Sequence, residues 1–518
     1  FAFGLENWTR MTTVMRGLMI RNHKLKVFDE PELEFRYGQK AKDPRDGLGL
    51  FGPFDADLPS CPKLNYIVLG ARTGIDAFDD WAAHLNRPVI DAPHENFRLW
   101  PPFPGFKVAF NQNFPETPIW SYEIDEKRLF TASQLSDPYQ RAYDVVEMYL
   151  EGIQIAGKRD ENIGVAICVV PEDVWKNCRP KSQVKSSVGE KISGRRLKSR
   201  KAGQLEIFSE FDPEQYELSR DFRRQLKARA MEIDIPIQII RETTLRLNND
   251  DVFGQRQLTP LSDRMWNLGT TIYYKCGGKP WRLVTAREGV CYVGIAFRKV
   301  ESKEDTASCA AQMFLNSGDG IVFLGEYGPW YSPRDRQFHL SKDAAKKLLT
   351  GVLETYEQLE GKPLSEVFLH SRSDISLEEF EGYGEACPEN VKLIGIRVRQ
   401  DSRNNPRLYR IGEMPVFRGT FWKMSDSTAF IWGSGFAPRP ATYRGWEVPI
   451  PMRIDIQHGD APIERVAHDI FGLTKLNYNA CHLGDSEPVT VGFSDAVGEI
   501  LISNPTIEKR RPNFKFYI

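Results

Sequence analysis

Arg220-Asp221-Phe222-Arg223-Arg224-Gln225-Leu226-Lys227-Ala228-Arg229-Ala230-Met231, then Ile235-Pro236-Ile237-Gln238-Ile239-Ile240, and further on Lys275-Cys276-Gly277-Gly278-Lys279-Pro280-Trp281, are the residues whose reading decides the fold. The Leu, Ala, Arg, Lys and Gln content of 220–231 favours a helix, on which Arg223 and Lys227 stand one turn apart on one face. Pro236 forces an extended exit, and the apolar run Ile235–Ile240 reads as a short buried strand carrying Gln238. Lys275 arrives just before a Gly-Gly turn. Lysine and arginine neutralise phosphate and an amide orients one of its oxygens, so the set suits a phosphorylated nucleic-acid end. A merely solvated basic helix face has the same local pattern.

Outward from this stretch, apolar runs alternate with helix-like segments. Tyr66–Leu69, Lys107–Phe110 and Ile163–Val170 read as strands, and Asp76–Leu85 and Tyr139–Gly152 as helices, the order of an open α/β sheet whose ligands bind beyond strand carboxyl ends. Past the turn-rich Lys275–Pro280, strands are expected at Val290–Val300, Gly320–Phe323, Val367–His370 and Val391–Val398, with a helix at Lys342–Glu360. A second domain is placed from about Arg287. The terminal Phe514, Phe516 and Ile518 alternate with Lys515 and Tyr517, as in a tail burying one face.

The 518 residues are enough for two or more large cores, and 41 % hydrophobic with 27 % charged residues is a globular composition. A formal net charge of −1 argues against a protein that coats nucleic acid nonspecifically, while leaving room for a local basic channel. Between Lys181 and Lys201 eight Lys or Arg face the single Glu190. Lys181, Lys185, Arg195, Arg196, Lys198 and Arg200 there suit contacts to a phosphate backbone, or else form a solvated linker. The eight cysteines have no Cys-x-x-Cys pair and no His at ligand spacing, which fits a reduced cytoplasm and neither zinc nor a disulfide framework. No run approaches a membrane span. Phe1–Trp8 lack an initiator Met and a signal-peptide layout; Met11, Met15 and Met19 are possible starts, and 1–24 are read as a leader.

The order of helix cations, Pro-x-Gln strand and Lys before Gly-Gly resembles the guide-end pocket of Argonaute MID domains. Glu32-Leu33-Glu34-Phe35, Asp43-Pro44-Arg45-Asp46-Gly47-Leu48, Gly325-Glu326-Tyr327-Gly328-Pro329-Trp330, Leu473-Thr474-Lys475-Leu476-Asn477-Tyr478-Asn479 and the closing Phe514-Lys515-Phe516-Tyr517-Ile518 are similar to short prokaryotic Argonautes. The resemblance runs from about Lys24 to the last residue, and Asp43–Leu48 looks closest to the SPARTA type. It implies an α/β chain with a Rossmann-like MID domain and N-terminal segment at 25–285 and a ribonuclease H-like PIWI domain at 286–518.

It also implies function. A 5′-phosphorylated guide RNA would be held by Arg223, Lys227, Gln238 and Lys275, with Mg²⁺ shared between the phosphate and the terminal carboxylate of Ile518. Where related pockets often carry Tyr or His, this chain has Arg223. Catalytic PIWI domains need carboxylates for two metals; here Ala296 follows Gly294-Ile295, and Ser371 or Arg372, depending on alignment, replaces a further aspartate. Asp374, Glu326 and His482 do not restore the set, so no cleavage is expected. The resemblance then implies recognition of single-stranded target DNA and a separate TIR-APAZ protein, forming a heterodimer that oligomerises on target binding and hydrolyses NAD⁺ in defence against plasmids and phages. Sirtuin-like or nuclease effectors are alternatives, as are a metal nuclease with rearranged acids and a binder of a small phosphorylated ligand. Trp330, Trp422, Trp432 and Trp446 are candidate partner contacts.

Overall fold

The structure, a computed structural model, describes residues 25–92, 97–184, 218–248, 257–299, 307–314, 320–334, 336–360, 363–400, 405–443, 445, 447–504 and 513–518. The leader 1–24, Trp446 and, of the basic loop, Lys185, Arg195, Arg196, Lys198 and Arg200 lie outside the described residues.

The described chain begins with β1 (Leu25–Val27), β2 (Leu33–Glu34) and β3 (Lys40–Ala41). β4 (Tyr66–Gly70), β5 (Trp120–Glu123), β6 (Val165–Val170) and β7 (Ile237–Arg241) form a four-stranded parallel sheet in the order β5-β4-β6-β7. Val165-Ala166-Ile167-Cys168-Val169-Val170 is apolar at every position because β6 is covered on both faces, as central parallel strands are. Tyr66, Val68, Ile167 and Val169 enter one core, and Ile67, Leu69, Ala166 and Cys168 enter another beneath the helix Pro138–Gly157. Asp137 caps that helix and Pro138 opens it, which suits a first turn with no use for the proline's missing N–H.

β8 (Arg282–Leu283) pairs with β2 and leads into β9 (Val290–Lys299), β10 (Ala307–Phe314), β11 (Gly320–Gly328), β12 (Tyr331–Ser332), β13 (Gln337–Phe338), β14 (Glu366–Ser371), β15 (Lys392–Arg399), β16 (Thr420–Lys423), β17 (Thr428–Ile431) and β18 (Met452–His458). Nine of the strands form a mixed sheet in the order β1-β16-β17-β18-β15-β14-β9-β10-β11. The helices Lys342–Glu360 and Leu377–Ala386 belong to one face, while Ile463–Leu473, Val489–Gly492 and Ser494–Ile502 pack toward the other. The core on this second face is continuous with that of the first sheet through Tyr274, Trp281, Tyr478 and Phe516. Glu499 adds a polar tie, bonding Arg224 at 2.6 Å and Arg298 at 2.8 Å.

Three expectations are corrected. Lys107–Phe110 lies in a helix, Phe106–Phe110, because Phe106, Ala109 and Phe110 are the buried positions and follow helical spacing; the two phenyl rings stack at 4.4 Å. Leu25–Val27, assigned by sequence order to the first unit, pairs with β16 in the second sheet. The tail is not alternating: Phe514–Phe516 is a 3₁₀ turn, and Tyr517 is buried together with Phe514, Phe516 and Ile518. Its tighter turn brings consecutive side chains onto the core.

Candidate nucleic-acid interface

The helix Phe222–Ala230 starts where Asp221 accepts the backbone N–H of Arg223 at 3.0 Å, an N-cap that sets which face Arg223 and Lys227 occupy. Lys227 Nζ reaches the carbonyl of Tyr517 at 3.4 Å. Lys275, in the last turn of Leu261–Lys275, is fully buried; its Nζ donates to Ile237 O on the edge strand β7 at 2.6 Å and also to an oxygen of Ile518. Thus Arg223, Lys227, Lys275 and Ile518 are brought together from three distant segments. Gln238 follows Ile237 on β7, and its amide donates to Ile239 O at 3.2 Å rather than to any of these groups.

The electrostatics of this cluster are unusual. Burial, then the charge of Arg223, pushes the Lys227 ammonium down to about 7. Burial, with Lys227 as second cause, holds Lys275 well below the usual lysine range, and burial lowers Arg223 as well. Among the described residues, no Asp or Glu side chain forms an ion pair with Lys227 or Lys275. Lys227 and Lys275 thus meet backbone oxygens rather than acidic side chains, and an anion placed there would supply the opposite charge that burial otherwise makes costly.

Sequence reading missed a neighbouring feature. Pro171 ends β6, and on the short helix behind it Trp175 carries three guanidiniums over its ring: Arg179 at 4.8 Å, Arg241 at 4.9 Å and Arg223 at 5.1 Å. Glu172 fixes Arg241, and exposed Lys181 follows two residues after Arg179. The signal was available in Pro171 and Trp175, placed just past a strand carboxyl end. Lys515, also missed, is lowered by burial and adds to the charge around Lys275.

A Mg²⁺ ion takes several oxygen ligands. This cluster offers one from the chain, on Ile518, and it already accepts from Lys275. No group of three or more His, Cys, Asp or Glu that could hold a metal occurs among the described residues.

In the second sheet the parallel pairing of β14 with β9 aligns His370 with Gly294 and Ser371 with Ile295, the last pair of that ladder; Arg372 and Ala296 each follow it by one residue. Ser371 is buried and accepts from Ser373 N at 3.1 Å. Arg372 bonds Glu487 at 2.8 Å. Asp374 is engaged by Arg397, by Gln337 at 2.7 Å and by Gln457 at 2.6 Å, which leaves it in a side-chain network. His482 is paired with Asp485 at 2.7 Å.

Other expected roles meet packing. Of Asp43–Leu48, Asp43 caps the helix Pro44–Phe51, Arg45 bonds Asp263, Cys481 O and Leu99 O, and Asp46 is held by Arg439. Trp432 is fully buried, its indole N–H donating to Pro449 O at 3.2 Å, which removes it as a surface contact. No helix of the described residues is long and apolar enough to cross a membrane.

No protein-family profile matches the chain. It is 23 % identical over 320 residues to the argonaute protein of Aquifex aeolicus strain VF5, a span of 61 % of this chain and 40 % of that relative. Among solved structures, Clostridium butyricum Argonaute bound to a guide DNA and a 19-mer target DNA superposes with a TM-score of 0.57 and 14 % identity, over 96 % of this chain and 55 % of that one. A structure of Aa-Ago with externally bound siRNA gives 0.56 and 16 %, over 95 % and 56 %, and A. aeolicus Argonaute gives 0.55 and 15 %, over 96 % and 56 %. The chain thus spans two fifths of the curated relative's length and a little over half of the solved ones. Over nearly all its length the chain has the α/β fold of the Argonautes, a Rossmann-like MID domain followed by a ribonuclease H-like PIWI domain, and it shares sequence with one of them.

Proposed function

We propose that this chain is the guide-holding subunit of a short-Argonaute defence complex: it seats the 5′-phosphate of a short guide RNA among Arg223, Lys227, Gln238 and Lys275, pairs the guide with complementary single-stranded DNA, and leaves that DNA uncut. The observation that carries the reading is the pair formed by partly buried Lys227 and fully buried Lys275, whose partners here are the carbonyl oxygens of Tyr517 and Ile237 and an oxygen of Ile518. A terminal phosphate brings two negative charges and three acceptors to such a set. Trp175 and its guanidiniums supply a polarisable wall beside it. Mg²⁺, if it accompanies the phosphate, would take most of its ligands from phosphate and water, with Ile518 as the chain's donor.

The absence of cutting is inferred from the resemblance, which sets Ala296, and Ser371 or Arg372, at positions where a two-metal centre requires carboxylates. Output then belongs to a partner. Resemblance at Asp43–Leu48 favours a TIR-APAZ protein that assembles with this chain, oligomerises when target is recognised and depletes NAD⁺.

Binding of 5′-phosphorylated and 5′-hydroxyl RNAs of equal sequence to the purified protein tests the central step. The phosphorylated guide should bind more tightly, and Lys227→Glu should remove the difference; equal binding of the two ends would refute it. Addition of target DNA to the complex with its TIR-APAZ partner should start NAD⁺ loss while the DNA stays intact.

A further inference from the structure

We infer that Arg372 is a phosphate-holding side chain on the second sheet, kept occupied by Glu487 until a nucleic-acid strand displaces that carboxylate. The inference rests on the nucleic-acid reading above and adds a site within it. β9, β14 and β15 are mutually parallel neighbours, and ligands of such sheets collect at strand carboxyl ends. Arg372 directly follows Ser371, the last residue of β14, at that end of the strand.

The surroundings hold the pair in a fixed place. Gly294 is required below it, because a Cβ there would come within 1.9 Å of Thr490 O. This close approach seats the short helix Val489–Gly492 on β9, and His370 Nδ1 meets Thr490 Oγ1 at 2.9 Å from the adjacent strand. Glu487, three residues before Thr490, is thereby brought to Arg372 at 2.8 Å. Burial lowers His370 to about 3, so the imidazole is neutral and adds no charge of its own.

Both members of the ion pair stay reachable, with 38 % of the Arg372 side chain and 20 % of Glu487 exposed. An exposed pair of this kind contributes little to stability, so exchanging its acid for another oxyanion is inexpensive. Phosphate offers a guanidinium the same two-oxygen geometry as a carboxylate, and such contacts position a strand without reading its bases.

The test uses protein loaded with a 5′-phosphorylated guide RNA and titrated with fluorescent complementary single-stranded DNA over a salt series. Arg372→Ala should weaken target binding about tenfold and make the slope of log K against log salt shallower by roughly one. Arg372→Lys should recover most of the slope. Glu487→Gln should tighten target binding several-fold, since it removes the competing charge. A merely structural ion pair would make Arg372→Ala and Glu487→Gln change in the same direction, by lowering stability, with the salt slope unmoved; that result overturns the inference while leaving guide loading intact. Failure of the unmodified protein to load any guide would instead overturn the underlying reading, and this site with it.

Discussion

The ammonium of Lys275 donates to the backbone carbonyl of Ile237 at 2.6 Å, joining the last turn of a buried helix to the edge strand of the first sheet. A fully buried lysine with no Asp or Glu side chain paired to it is costly to keep charged, and its bonds to Ile237 O and to an oxygen of Ile518 offset only part of that cost. A phosphate arriving at the same nitrogen would recover more, which makes this contact the origin of the first two predictions.

Affinity for a 5′-phosphorylated RNA should fall as pH rises above about 7, the value to which Lys227 is pushed. The phosphate favours protonated lysine, so binding takes up a proton above that pH, at a limit of about tenfold per pH unit for each lysine involved. The ligand-free protein should behave oppositely. Lys227 and Lys275 are lowered in the folded state from an unfolded value near 10.5, so the unfolded chain binds more protons over that window and their contribution to stability rises with pH. Anisotropy titrations from pH 6 to 9 check the first trend and urea unfolding at the same pH values checks the second; a pH slope shared by 5′-hydroxyl RNA would count against the pocket.

Lys275→Met should leave folding stability within about 1–2 kcal/mol, since a buried charge is removed together with its bonds, yet cost about 1.5–3 kcal/mol in binding the phosphorylated end, the range of a hydrogen bond to a charged group. Unfolding curves and guide titrations on one preparation separate the effects. A loss of stability equal to the loss of binding would mean that Lys275 serves folding alone.

Trp175→Leu should loosen Arg179, Arg223 and Arg241, with an expected loss of about 0.5–1 kcal/mol for each exposed cation–π contact. Guide binding should weaken several-fold, and Trp175→Phe should restore part of it. Unchanged guide affinity in the leucine variant would detach this ring from the interface.

Guide-loaded protein incubated with labelled complementary DNA and Mg²⁺ or Mn²⁺ should leave the strand whole. Asp374→Ala should lower stability by about 1–3 kcal/mol, because Arg397, Gln337 and Gln457 lose a shared acceptor. Cleavage at a single phosphodiester that disappears in Asp374→Ala would reverse both statements.

Local pattern carried much of the architecture. The fully apolar run ending at Val170 and the helix Lys342–Glu360 are legible because hydrophobic spacing reports which face of an element is covered. The same spacing misleads in short runs: Phe106–Phe110 is as apolar as a strand, and only its stacking rings and buried positions distinguish it. The order of Arg223, Lys227, Gln238 and Lys275 could be noticed in sequence, whereas the Trp175 cluster joins Arg179, Arg223 and Arg241 across three elements with no periodic signature.

By itself, then, the sequence pointed to most of the strands and helices and to the residue types that could meet a phosphate, and it set Ala296, and Ser371 or Arg372, where the resemblance expects carboxylates. Tertiary structure alone decided that Lys275 meets the carbonyl of Ile237 on the edge strand, that Trp175 gathers Arg179, Arg223 and Arg241, and that Arg372 is paired with Glu487. The reason is physical: periodicity encodes burial of a face, while strand register and the lowered proton affinity of a lysine arise from contacts between residues far apart in the chain, where backbone pairing and exclusion of water are collective properties of the packed molecule.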